Sequence, residues 1–156
     1  MTGRIVGLGL LITALVAGSV LYFLQVYAYY DEVADKDVTI ELTSIVSGEP
    51  EEIIANDFKG IDSDSSPIRF RGCFTTPMSL SLLTETYVAY EKATPLIGPG
   101  WFKCYNAKAI GADLEAGIAL PFLGQENTSD GVDRVVAVYP DGRAFVWHQL
   151  NEKFAE

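Results

Sequence analysis

The longest hydrophobic run in the chain lies at its start. Residues 5–30 read IVGLGLLITALVAGSVLYFLQVYAYY, about 26 residues without a charged side chain, and ~20 apolar residues are enough for a helix to cross a bilayer. We therefore predict one transmembrane helix over residues 5–30, preceded by a cytoplasmic tail of residues 1–4. A cleaved secretory signal is the alternative, but its apolar core usually spans only about 7–15 residues.

The flanks of this run indicate how the helix is oriented. Arg4 precedes it, whereas Asp31, Glu32 and Asp35 follow it. The positive-inside rule therefore favours a cytoplasmic N-terminus and places nearly the whole chain on the outer side. Aromatic side chains collect where the run ends, and such rings favour the headgroup layer of a bilayer. The residues of this predicted interface belt are Tyr22, Phe23, Tyr27, Tyr29 and Tyr30.

One face of the predicted helix carries mostly small residues. Positions spaced alternately by four and three stack on one side of a helix. Small side chains there let a second membrane helix approach closely, and a Gln can hydrogen-bond across the contact. We expect this face to contact a partner's helix, although Gly and Ala are also common in spans that have none. The predicted contact residues are Gly7, Leu11, Ala14, Gly18, Leu21 and Gln25.

Beyond the helix, the pattern changes to short segments typical of an α+β domain. Residues 31–36 are polar and predict a short stalk. Residues 37–156 are long enough for one globular domain with a single core. The stretch 51–58 fits either a short helix or a strand. An earlier strand is predicted where three apolar residues alternate with polar ones, at Val38, Ile40 and Leu42.

The middle of the domain predicts further strands and two helices. Residues 68–74 alternate, with apolar side chains on one face and Arg69, Arg71 and Cys73 on the other. In so acidic a chain we expect these arginines to pair with local carboxylates. The remaining predicted elements are a helix over residues 78–93 that starts at Thr75–Pro77, a strand over residues 101–105, and a helix over residues 107–116 that Asn106 caps and Gly117 ends.

The clearest local pattern of the domain is a β-hairpin near its C-terminal end. Residues 132–139 and 144–150 are rich in β-branched and aromatic side chains, and the Pro-Asp-Gly-Arg between them is turn chemistry. A polar loop is predicted just before it, over residues 125–131. The predicted fold class is therefore α+β, with one transmembrane helix followed by a small, mainly antiparallel sheet and about two helices.

Charge and cysteine content narrow the range of partners. Only Arg4 precedes the helix, so residues 31–156 hold 10 basic and 21 acidic residues, a formal charge of −11. Such a surface repels nucleic acid and anionic headgroups and suits a basic soluble partner such as a cytochrome c. Cys73 and Cys104 are expected to form a disulfide in an oxidising compartment, with two separate thiols as the alternative.

The sequence offers few residues for catalysis or metal binding. His148, the one histidine, lies in an alternating strand pattern, which is typical of an ordinary sheet residue. The acidic loop 60–67 lacks the Gly and Glu of a calcium-binding EF-hand and fits an Asx-rich turn. Phosphate loops, serine elbows and zinc spacings are absent from the sequence. We therefore predict no catalytic residue, no metal and no cofactor.

Three blocks of the sequence resemble a family of small membrane-anchored proteins of alphaproteobacteria whose function is unassigned. The blocks read SSPIRFRGCF, GWFKCYNAKAIG and GVDRVVAVYPDGRAFVWHQLN, and they follow an MTGR-type start and a single apolar helix. The resemblance implies an inner-membrane location with a periplasmic domain. It implies no catalytic residues.

Two classes of function fit these observations. In the first, the protein is a non-catalytic accessory subunit of an inner-membrane complex, such as a respiratory electron-transfer complex, held there by its helix and by the lipid bilayer. In the second, it is a free-standing assembly factor or a periplasmic sensor that binds a ligand. The small-residue face and the aromatic belt favour a fixed position beside a partner, so we favour the first.

Overall fold

A computed structural model describes residues 2–154 and shows an α+β fold. The chain begins with α1, which continues into a short π-helical segment, and a 3-10 turn spans Asp35–Asp37. The helices are α1 (Thr2–Phe23), the π-helical segment (Leu24–Ala28), α2 (Leu80–Thr86) and α3 (Ala107–Glu115). The strands are β1 (Asp31–Val33), β2 (Glu41–Thr43), β3 (Pro50–Glu52), β4 (Asn56–Asp62), β5 (Arg71–Thr75), β6 (Leu120–Ser129), β7 (Val132–Val138) and β8 (Arg143–Leu150).

The N-terminal helix stands apart from the rest of the protein. Within the described residues, Gly3–Ala28 is the one helix that is long and apolar enough to cross a membrane, and none of its apolar stretch is buried against the domain. By composition it is an anchor or a signal sequence.

A six-stranded antiparallel sheet forms the centre of the domain, with the strand order β1-β4-β5-β8-β7-β6. The predicted hairpin is confirmed, because β7 pairs with β8 from Val132–Leu150 to Val138–Ala144. The predicted polar loop over residues 125–131 is largely wrong, since β6 continues to Ser129 with two register irregularities. A separate two-stranded ribbon is formed by β2 and β3, so strands, not a helix, occupy most of 51–58.

Both faces of the sheet are covered. Phe74 and Val146 face the β2–β3 ribbon and α2, where they belong to the larger hydrophobic core with Leu42 and Leu83. The opposite face packs against α3 and the chain that precedes it, in a second core formed by Cys73, Tyr105, Ile110, Val135, Ala137 and Trp147. The alternation predicted for residues 68–74 therefore places the side chains correctly, although the strand itself begins only at Arg71.

The predicted stalk over residues 31–36 is wrong. Its first half is β1, which pairs with β4 from Asp31–Asp62 to Val33–Gly60. The backbone of β4 offers an open edge there, and pairing satisfies it. The domain consequently begins at Asp31, and only Tyr29 and Tyr30 connect it to the helix.

Two further predicted elements differ because tertiary contacts override local pattern. The helix predicted over residues 78–93 is only α2, capped by Ser79 rather than near Thr75. After Thr86 the chain becomes extended, with Tyr87 bridging to Ser44, next to β2, and Ala89 bridging to Phe122 on β6. The strand predicted over residues 101–105 is a pair of turns, because the Phe102 N–H bonds to the Pro99 carbonyl.

The helix predicted over residues 107–116 is confirmed by α3. Its cap is the predicted one, because the Asn106 side chain accepts a hydrogen bond from the Ala109 N–H at 3.1 Å. The helix ends before Gly117, whose φ of +69° is a conformation that glycine adopts without strain.

Candidate interaction surface at the base of the N-terminal helix

Trp101 joins the domain to the end of the N-terminal helix. Its indole Nε1 donates a hydrogen bond to the Val26 carbonyl at 2.6 Å. Its ring stacks on Tyr27 with centroids 6.3 Å apart and meets Tyr30 edge-on at 6.1 Å. Two members of the predicted aromatic belt thus pack against the domain.

The Val26 carbonyl is available because the helix is ending there. The last carbonyls of any helix lack partners within the helix, and the π-helical segment closes with a bond from the Tyr29 N–H to the Leu24 carbonyl at 3.2 Å. Val26 lies two residues beyond Leu24, so its carbonyl points past the last turn. The indole supplies the missing donor, which couples the helix end to the domain.

Arg71 holds the loop that carries Trp101. We define the junction loop as residues 94–105. The buried Arg71 guanidinium donates to the carbonyls of Leu96 at 2.8 Å and Ile97 at 3.4 Å, and also to those of Ile68 and Phe70, each at 2.7 Å. Burial lowers the pKa of Arg71. The expected pairing with a carboxylate is therefore wrong, because four backbone oxygens take its place.

Arg69 belongs to the same junction. Its guanidinium carbon lies 5.4 Å from the centroid of the Tyr30 ring, which is within range for a cation–π contact. Its Nη1 is buried and has no partner among the described residues. Arg69 therefore also contacts the base of the helix rather than a local carboxylate.

The disulfide fixes the other end of the junction loop. Cys73 on β5 is joined to Cys104, with Cα atoms 6.2 Å apart, which is the pairing expected from the sequence. The loop is thus tied to the sheet through Arg71 and Cys104 and to the helix through Trp101. Ile97 remains 85% exposed at its tip.

The small-residue face of α1 has no contact with the domain. A Cβ added at Gly7 or Gly18 would meet nothing within 4 Å, and the other predicted contact residues, Leu11, Ala14, Leu21 and Gln25, are exposed. Gln25 lies in the π-helical segment, so the spacing of an α-helix no longer fixes its direction. Partner contact through this face stays a prediction.

His148 is held by hydrogen bonds on both ring nitrogens. Arg134 Nε donates to His148 Nε2 at 3.1 Å, so the imidazole is neutral and its Nδ1–H donates to the Pro67 carbonyl at 2.8 Å. Burial, followed by the nearby charge of Arg134, lowers the pKa of His148 to about 4. The Arg134 guanidinium also covers the Phe70 ring at 4.8 Å. These contacts tie β7 and β8 to the chain before β5.

A polar network that the sequence does not reveal surrounds Asp133. This buried carboxylate accepts hydrogen bonds from the Tyr90 hydroxyl at 3.0 Å and from the Asn127 N–H and the Asn151 amide, each at 2.9 Å. Burial raises the pKa of Tyr90. Tyr90 and Asn151 lie 43 and 18 residues from Asp133, so no local spacing could have predicted this network.

The described residues contain no cluster of three or more His, Cys, Asp or Glu side chains that could hold a metal ion. In the acidic loop, the Ser63 hydroxyl accepts a hydrogen bond from the Ser65 N–H, two residues further on, at 3.4 Å, so a serine side chain forms the turn where an Asx turn was predicted.

Taken together, the fold and the junction define a small α+β domain set directly on the end of an apolar helix. The chain belongs to the family of unknown function DUF6446, and the match covers residues 40–156. This agrees with the resemblance to an uncharacterised family. No curated protein and no solved structure matches the chain.

Proposed function

We propose that the protein is a non-catalytic accessory subunit of an inner-membrane complex. Its helix spans the membrane with the N-terminus in the cytoplasm, and its domain lies on the periplasmic face. The observation that carries this proposal is the junction: Trp101 bonds to the Val26 carbonyl, and β1 starts at Asp31, with only two residues between it and the helix. A domain fixed to its anchor in this way holds a constant height and orientation above the bilayer.

This arrangement favours a subunit over a tethered sensor. A sensor that captures a diffusing ligand gains reach from a flexible linker, whereas a subunit gains from presenting one surface to a fixed neighbour, since fewer degrees of freedom are lost on binding. The open face at Gly7 and Gly18 supplies room for that neighbour's helix. The acidic domain would additionally attract a basic soluble cytochrome if the complex is a respiratory one.

Purification of a tagged full-length chain in mild detergent tests the proposal. A subunit is recovered with one large complex in a constant ratio. An assembly factor is recovered with immature forms in low and variable amounts, and a free-standing sensor with no partner. Gly18→Leu should reduce recovery of the complex about tenfold, because the larger side chain separates the two helices.

Gly9→Leu is the matched control. It is the same substitution nine residues away, which is half a turn around an α-helix and so on the opposite face, and a Cβ there also meets nothing within 4 Å. If both variants lose the partner equally, the face is not the contact. If neither does, the partner is held by the domain.

A further inference from the structure

The junction loop and the first turn of α3 together carry an acid-free surface beside the end of the N-terminal helix. Residues 92–112 contain no Asp or Glu, in a chain with 21 acidic residues. Within this stretch Ile97, Phe102, Lys103 and Lys108 line one shallow hollow. We define these four residues as the loop patch.

The loop patch has the composition of a membrane-binding surface. Ile97 is 85% exposed, and Lys103 and Lys108 are exposed and form no ion pair with a described residue. Lysines near an anionic lipid surface are attracted by about 1 kcal/mol each. The carboxylates that directly follow the helix, Asp31 and Glu32, lie on β1 and outside this hollow.

The position of the loop patch matches the headgroup layer. Trp101, its neighbour in the chain, stacks on Tyr27 at the end of the apolar helix. Trp and Tyr side chains concentrate at the interface between a bilayer and water. The loop patch is therefore close to the depth at which phosphate headgroups would lie.

We propose that the loop patch is a second membrane contact, which binds the anionic lipid headgroups around the helix and holds the domain down on the bilayer. The negative net charge of the domain predicts repulsion from such headgroups. At the loop patch, where lysines are present and carboxylates are absent, we expect attraction instead. The inference rests on the proposed anchoring of α1 in a bilayer. Because Arg71, the disulfide and Trp101 already fix the loop, little conformational entropy is lost when it binds.

Nitroxide labels on the full-length chain test this inference. The chain, with its disulfide intact, is placed in vesicles of phosphatidylcholine and phosphatidylglycerol in equal parts, and labels are attached at Ile97→Cys or at Leu15→Cys in the middle of α1. Collisions with oxygen report lipid, and collisions with a soluble nickel complex report water. We expect both labels to be shielded from nickel, and a label at Leu82→Cys in α2 to stay accessible.

Paired lysine variants separate local from overall charge. Lys103→Gln with Lys108→Gln should raise nickel access at position 97 strongly, since each lysine contributes about fivefold to binding. Lys36→Gln with Lys59→Gln changes the net charge equally, at exposed lysines outside the loop patch, and should have no effect. In vesicles of phosphatidylcholine alone, which carry no net charge, the unsubstituted lysines should give the same raised nickel access at position 97.

The two labels also distinguish the ways of failing. A label at position 15 that lies in water removes the anchor and the proposed function with it. A label at position 15 in lipid with position 97 in water overturns only the loop patch. Shielding of position 97 that appears only when native membrane proteins are present would assign the patch to a protein partner, and would likewise overturn the lipid contact.

Quenching of tryptophan fluorescence repeats the test without an added cysteine. Trp147 is fully buried, so Ile97→Trp places a second accessible indole in the loop patch, and the neutral quencher acrylamide is neither attracted nor repelled by the lysines. Shielding of the indole at position 97 from acrylamide should fall when Lys103 and Lys108 are both replaced by Gln, and unchanged shielding contradicts the inference.

Discussion

At the residue scale, a buried arginine and a half-buried arginine hold the domain together without carboxylate partners. Arg71 bonds to four carbonyls, and Arg134 donates to His148. Neither role follows from the sequence, because an arginine in so acidic a chain suggests an ion pair with a carboxylate. Burial is set by the packing of distant segments, which no local pattern specifies.

Replacement of Arg71 tests its part in fixing the junction loop. We expect Arg71→Met to lower the free energy of unfolding by about 2–4 kcal/mol, because several buried carbonyls lose their donor at once. Arg71→Lys should recover little of this, since an ammonium cannot reproduce the planar fork. Urea unfolding of the full-length chain in detergent measures both. Arg69→Met, in which no carbonyl loses a donor, is the control and should cost less than about 1 kcal/mol.

His148 makes the domain sensitive to acid. Its pKa in the folded protein is lowered to about 4, below the usual value near 6.5, so protons bind more readily to the unfolded chain. The stability it contributes is present above pH ~6.5 and is lost as the pH falls toward 4, by roughly 2–3 kcal/mol in total. Thermal unfolding followed between pH 7 and pH 4 should show this decline.

His148→Gln is the matched variant for the acid effect. A Gln oxygen can still accept the bond from Arg134 but does not titrate, so the melting temperature should change less with pH. Asp62 acts in the opposite direction, because burial raises its pKa and the folded state gains stability as that carboxyl protonates. The difference between wild type and His148→Gln cancels this contribution. If the melting temperatures of the two proteins fell equally with pH, His148 would not be the cause of the acid sensitivity.

At the element scale, the sheet contains a pair of glycines covered by an aromatic ring. Gly60 on β4 pairs directly with Gly72 on β5, and a Cβ on either would lie within 2.5–2.6 Å of the Phe58 ring. A bulge at the start of β4, where Asp57 has a φ of +55°, accompanies this arrangement. The Phe58 ring therefore packs directly against the backbone of the two glycines, where a larger residue would leave no room for it.

Gly72→Ala should be destabilising by about 2–3 kcal/mol, because its Cβ would also lie 2.8 Å from Val146 Cγ1. Phe58→Leu removes the ring and frees part of that space. A double-mutant cycle measured by urea unfolding should therefore show a favourable coupling of about 1 kcal/mol between the two substitutions. Gly111→Ala on α3, where the nearest atom is 4.0 Å away, is the control and should be neutral or stabilising.

The elements also show how far the sequence could predict this fold. The apolar helix, the hairpin of β7 and β8, and α3 with its Asn106 cap follow from local chemistry and appear as predicted. The stalk, the long helix after Pro77 and the strand at 101–105 fail for one reason. Each segment takes its conformation from a distant partner: β4 for residues 31–33, Phe122 for Ala89, and the helix end for Trp101.

At the scale of the whole molecule, the candidate surface exists only because those distant segments meet. The aromatic belt and the disulfide were predicted separately, from the composition of the apolar run and from the number of cysteines. Together they help to fix the junction loop between the sheet and the helix. This also requires the contacts of Arg71 with the loop carbonyls and of Trp101 with the helix end, which only the folded chain brings together. A domain docked on the end of an apolar helix is a property of the assembled chain rather than of any one motif.

We expect Trp101 to be the residue that holds the domain on the end of the helix. Its hydrogen bond and its aromatic contacts together contribute about 2 kcal/mol to docking of the domain on the helix, so Trp101→Ala should increase the undocked fraction by roughly tenfold or more. Pulsed EPR distances between labels at Leu15→Cys and Leu82→Cys, measured in nanodiscs, should change from one narrow distribution to a broad one. Trp101→Phe keeps a ring but loses the donor to Val26 and should give an intermediate width.

Phe154→Ala is the control for this comparison, because Phe154 is also an exposed aromatic residue but lies near the C-terminal end of the chain. It should leave the distribution narrow. A narrow distribution in Trp101→Ala as well would mean that β1 alone fixes the domain, since only Tyr29 and Tyr30 separate the helix from the pairing of β1 with β4. In that case Trp101 does not hold the domain on the helix. Val33→Pro should then broaden the distance distribution instead, because proline removes a backbone donor from β1.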